Sequence, residues 1–122
     1  MSDNDFQTYD NAYKNLVMSG LGEGSFLKAR SFETLVIAER NQSQGINPIS
    51  KMLKMLTAAK GVLNLALSQL DRLAGSPPIK THLLAWKNEI GEANSSIELG
   101  QICLRISGIA RLPLPVKVGT LL

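Results

Sequence analysis

The stretch from Asn47 to Ala74 constrains this chain more than any other. Asn47 has the short polar side chain that caps a helix, and Pro48 suits the first helical position, where a missing N–H goes unused. Behind them Ile49, Met52, Leu53, Leu56, Leu63, Leu67 and Leu70 recur at helical spacing, flanked by Met55, Ala59, Val62, Ala66 and Leu73. At 100° per residue this apolar sector covers about half of the helical cylinder, wider than the stripe of an ordinary surface helix. A helix so broadly apolar needs neighbours on two sides, so it is expected at the centre of the fold. Gly61 inside it costs about 1 kcal/mol relative to alanine, which points to a close helix crossing or a local bend. Lys60 lies at one edge of the sector, where its stem can reach outward. Leu65 points the other way, among polar neighbours, and is a candidate partner contact.

The rest of the chain supplies the neighbours. Phe6, Tyr9, Tyr13, Leu16 and Val17 mark a first helix from Asp5 to Ser19, with Gly20 as its stop. Ser25 caps a second pattern carrying Phe26, Ala29, Phe32, Val36 and Ile37 to about Asn41; Leu27 and Leu35 lie off that stripe. "GSPP" at 75–78 ends the central helix and opens a fourth pattern through Ile79, His82, Leu83, Trp86, Ile90 and Ala93. Ser95 and Glu98 have the spacing of a capping box, and Leu99, Ile102, Cys103, Ile106, Ile109 and Ala110 follow on one face until Pro113. Beyond Arg111 the period changes to two: Leu112, Leu114, Val116 and Val118 alternate with Pro113, Pro115, Lys117 and Gly119. The prolines forbid a central strand, so this tail is expected as an extended strap over the bundle or onto a second subunit. Leu121 and Leu122 end a Thr-Leu-Leu of the form that carboxylate-capturing pockets read.

At 122 residues and 44% apolar, one compact core is the expected outcome. The fold class is therefore all-α, a compact bundle of about five helices around a long central helix. Residues 1–111 form the helical domain and 112–122 the extended tail.

Motifs for chemistry are sparse. "LGEGSFLKA", Leu21 to Ala29, shares two glycines with the phosphate-covering loop of protein kinases, but Leu27 stands where the third belongs. No V-A-I-K, H-R-D or D-F-G string accompanies it, and no Walker lysine follows a glycine at the required spacing. The stretch reads as an interhelix connection. His82, the only histidine, shares a face with Leu83 and Trp86 and reads as a packing residue. Cys103, the only cysteine, sits on an inward stripe, where a thiol behaves as a small hydrophobe. One cysteine forms no internal disulfide, which fits a reducing compartment. No catalytic residue, cofactor or metal ligand set is expected. The polar, acidic first ten residues are unlike a secretory signal, and no apolar run approaches a membrane span. A soluble cytoplasmic protein without membrane partners is the expectation.

Charge is uneven. The chain carries +3 overall, yet its first 24 residues hold four carboxylates against one lysine. Lys51, Lys54 and Arg72 share the outer side of the central helix. "IAERNQSQGINPISKML", residues 37–53, resembles a helix-turn-helix unit, with a glycine turn and a following helix bearing Ser50 and Lys51. That resemblance implies nucleic-acid binding, and with the basic residues Lys51, Lys54 and Arg72 of the central helix it makes the alternative. The leading expectation is a non-enzymatic interaction or assembly protein that binds a protein partner or itself as a homo-oligomer. Leu65, Leu112, Leu114, Val116, Val118, Leu121 and Leu122 are its expected contact residues.

Overall fold

A computed structural model describes residues 2–74 and 77–111. The described residues form α-helices joined by short turns, with no strand among them. The helices are α1 (Asp3–Leu21), the single-turn α2 (Phe26–Ala29), α3 (Ser31–Ser43), α4 (Ile49–Ala74), α5 (Pro77–Glu92) and α6 (Ser96–Ala110). Five long helices with α4 the longest match the expected all-α bundle.

α4 is packed by α1, α3 and α5, as its wide apolar sector implies, and α1 is buried as deeply beside it. α1 packs along α4 and against α6, while α5 closes between α4 and α6, so these four form a ring. α3 lies against α4, with smaller contacts to α1 and α6. Tyr13, Leu16 and Val17 of α1 are as fully buried as Leu63 and Leu67 of α4. Each large apolar side chain removed from water in this way stabilises the fold by about 1.5–3 kcal/mol.

Two contacts join α1 to α4. The Tyr13 hydroxyl donates to the Ala59 carbonyl at 3.1 Å, and Gly20 lies against the Ala66 backbone so closely that a Cβ would collide with that carbonyl. From Tyr13 to Gly20 and from Ala59 to Ala66 both helices advance by seven residues, so they run in the same direction. Gly20 therefore does not stop α1, as expected from sequence, but lies inside it as a contact point. The stop is Gly22, whose φ of 88° suits a residue without Cβ. Gly100 plays the same part between α6 and α1, with Tyr9 in the space a side chain would need. Gly61 is different: it is exposed, and a Cβ there meets nothing within 4 Å.

α4 and α5 run oppositely. Lys60 Nζ donates to the Gly91 carbonyl near the C-terminal end of α5 at 2.8 Å, and Lys87 Nζ donates to Ser68 Oγ at 2.6 Å. Lys60 is thus engaged with the last carbonyls of a neighbouring helix, where a cation is favoured. On α5, Ile79, Trp86, Ile90 and the following Ala93 are buried, and His82 stacks on Trp86 with ring centroids 5.2 Å apart.

The second sequence pattern divides at Arg30 into α2 and α3. Ser25 stands at the N-cap position of α2 but makes no side-chain capping bond; its hydroxyl donates back to the Leu21 carbonyl at 3.0 Å. Ala29, Phe32 and Val36 are buried and Leu27 is exposed, as the stripe implies, but within α3 Leu35 joins Phe32 and Val36 on the buried face and is fully buried, while Ile37 falls off that face and is 48% exposed. At the start of α6 one half of the capping box forms, the Glu98 N–H donating to Ser95 Oγ at 3.3 Å, while Glu98 Oε2 accepts from the N–H of Asn94, one residue before the cap, at 2.6 Å. Glu39 of α3 adds a second carboxylate, accepting from the Ser96 N–H at 2.7 Å and from the Ser96 hydroxyl. A negative charge at a helix N-terminus is favourable, and here it also ties α3 to α6.

Two glycines of one helical protein are expected to respond oppositely to alanine. Gly61→Ala raises stability by about 1 kcal/mol through helix propensity alone. Gly20→Ala lowers it, because the obstacle is backbone and no side-chain rotation relieves it. Denaturant midpoints measure both, and shifts of the same sign would refute this account of the α1–α4 contact.

Candidate interaction surface

α3 ends in a Schellman turn. Gly45, at φ 75°, donates its N–H to Gln42 O at 3.1 Å, and Ile46 donates to Asn41 O at 2.8 Å. In such turns the apolar residue after the glycine commonly packs on one of the helix residues three to four positions inside the end. Those positions are Arg40 and Asn41, both polar. Ile46 has no apolar partner there and is 64% exposed.

α4 begins three residues later, and its first turns overhang the core. Ile49 is 57% and Leu53 47% exposed, one helical turn apart on one face. The sequence places both on the buried stripe. Burial starts further along, with Met52 and Met55 half-covered and Leu56 covered. Leu65, two turns beyond Ala58, is 45% exposed, as its position off the stripe implies.

The charges around this corner are of one sign. No acidic residue occurs between Arg40 and Leu70. Arg40, Lys51 and Lys54 are exposed and form none of the ion pairs among the described residues. Arg72 is also exposed, on the same face as Lys54 but five turns away, about 27 Å along the axis. The structure therefore brings Lys51 and Lys54 together and leaves Arg72 apart. The helix expected to read nucleic acid is the first part of the 26-residue α4, not a separate short helix.

Other polar groups are engaged in holding helices together. A cleft of about 530 Å³ between α5 and α6 is lined by Glu89, Glu92, Glu98, Gln101 and Arg105, with Ala93 and Ile102 also present. Glu89 pairs with Arg105 at 2.9 Å and Glu98 serves the cap described above. Among the described residues no three His, Cys, Asp or Glu side chains are grouped to hold a metal ion. Cys103 is wholly buried, and burial pushes its thiol well above the usual range. No helix among the described residues is long and apolar enough to cross a membrane. Leu112, Leu114, Val116, Val118, Leu121 and Leu122 lie outside the described residues.

One buried acid is under electrostatic load. Asp10 is 4% exposed; its Oδ2 meets Lys14 Nζ at 2.8 Å and its Oδ1 has no partner. Desolvation raises its pKa, Lys14 opposes the rise and the nearby Glu33 adds to it. The folded state therefore holds this proton at pH values where the unfolded chain has released it, and stability falls as pH rises through that window. Asp10→Asn is expected to remove this fall above about pH 4 while keeping an acceptor for Lys14. Urea denaturation of both proteins across the acid range checks it, and parallel pH profiles would contradict it.

No family model matches this chain, and neither a curated protein nor a solved structure matches it.

Proposed function

We propose that this chain is a non-enzymatic interaction or assembly protein that associates with copies of itself. The observation that supports this reading is the corner between α3 and α4, where Ile46, Ile49 and Leu53 remain in water close together in sequence. Single exposed apolar residues are ordinary; neighbouring ones at a helix start and its turn form a patch whose covering is favourable by about 25 cal/mol per Å². Leu65 is a second, separate exposed apolar contact on the same helix. Light scattering over a concentration series, on the full chain and on a form ending at Arg111, tests the reading. A mass above one chain that rises with concentration is expected, and the shorter form reports what residues 112–122 contribute. Monomeric mass throughout would remove self-association.

Lys51 and Lys54, exposed and unpaired, favour the nucleic-acid reading as second choice. It requires duplex or single-strand binding that weakens steeply with salt and with Lys51→Ala and Lys54→Ala. No binding at low salt would dispose of it.

A further inference from the structure

The partner that fits the α3–α4 corner has carboxylates to meet Lys51 and Lys54, and such a surface is present on the same molecule. α1 begins with Asp3 and Asp5, both exposed and in none of the ion pairs among the described residues. Because α1 and α4 run in the same direction with a fixed register, their N-termini lie at the same end of the bundle. Carried back from Tyr13–Ala59, that register sets Asp3 and Asp5 at the level of Ile49 and Lys51. One end of the protein thus carries exposed carboxylates on one helix and exposed ammonium groups on its neighbour, with exposed Ile49 and Leu53 on another side of the same first turns of α4. Opposite charges at one end of a molecule become self-complementary when a second copy meets that end through a two-fold rotation.

We infer that two copies associate around a two-fold axis at this end, the Asp3 and Asp5 carboxylates of each facing Lys51 and Lys54 of the other. Ile46, Ile49 and Leu53, exposed at the same end, are then covered in the same association. The inference rests on the self-association proposed above and names the surface that carries it. An interface built on a few apolar side chains and exposed charges is small, so the dimer is concentration-dependent and weakened by salt. Charge complementarity of this kind sets partner choice and register more than it sets raw affinity.

The test uses the full chain and sedimentation velocity at low and high salt. Three variants are compared with the native protein: Lys51→Glu with Lys54→Glu, Asp3→Lys with Asp5→Lys, and Ile49→Asp with Leu53→Asp. Each alters exposed residues, and circular dichroism confirms that each is folded; the aspartates also favour the start of α1, so this control matters for them. Each variant alone is expected to dimerise at least about tenfold more weakly, since like charges now face each other or the apolar contact is lost. An equimolar mixture of the two charge variants is expected to recover association, because each reversed set then meets its complement. A mixture that stays monomeric overturns the two-fold pairing. If the native chain associates and none of the three variants weakens it, another surface carries assembly: this inference fails and the proposed function stands. A native chain that is monomeric at every concentration overturns both.

Discussion

The fold depends on how closely α1 can approach α4. With glycine at position 20 the two backbones meet at Ala66, and one hydroxyl from Tyr13 reaches across to the Ala59 carbonyl. That proximity lets Leu16, Val17, Leu63 and Leu67 bury completely. It also fixes direction: a parallel pair cannot be joined by a short turn. The chain between them accordingly spends residues 22–48 on α2, α3 and their connections, so that α4 can start at the end of the bundle where α1 started. α5 and α6 then complete the ring, and Gly100 repeats the close approach on the other side of α1.

The same connectivity leaves the α3–α4 corner uncovered. α3 must stop and reverse before α4 begins, and the Gly45 turn does this with two backbone hydrogen bonds. The turn satisfies the last carbonyls of α3 without supplying an apolar partner for Ile46. α3 is anchored elsewhere, through Glu39 on the first residue of α6 and Phe32 tilted against Tyr13 at 5.6 Å. Packing and exposure are thus assigned to different parts of one helix pair, so the residues of the corner add little to the core.

Much of this was legible in the residues. The spacing of Leu56, Leu63, Leu67 and Leu70 located the long helix, Ser95 with Glu98 located the start of α6, and Trp86 with Ile90 gave the inner face of α5. Gly45 followed by Ile46, after polar Arg40 and Asn41, is a signal for an unpaired apolar residue at a helix end that pattern reading by face alone passes over. Other features have no local signal. Gly20 and Gly61 are the same residue in helical surroundings, and only the crossing of α1 over α4 distinguishes them. Ile49 and Leu53 have the angle of core residues but lie beyond the axial extent of their neighbours, which periodicity does not measure. Leu35 and Ile37 lie three and five residues beyond Phe32, so within α3 only Leu35 shares the buried face of Phe32 and Val36, a distinction lost when one stripe is drawn from Phe26 through Ile37. Lys60, Lys87 and Glu39 bond to residues 19 to 57 positions away, distances at which sequence spacing carries no geometric information.

Cys103 has a consequence outside the architecture. A thiol reacts as its thiolate, and this one is both sealed from solvent and held protonated by its surroundings. Alkylating reagents and oxidants therefore meet it only in molecules that have opened, so its rate of modification reads the opening of the interior rather than surface chemistry. As the chain's one cysteine, it makes a covalent link only to another molecule. A disulfide-bonded pair in a preparation is consequently a trace of past unfolding, and says nothing about how intact copies come together.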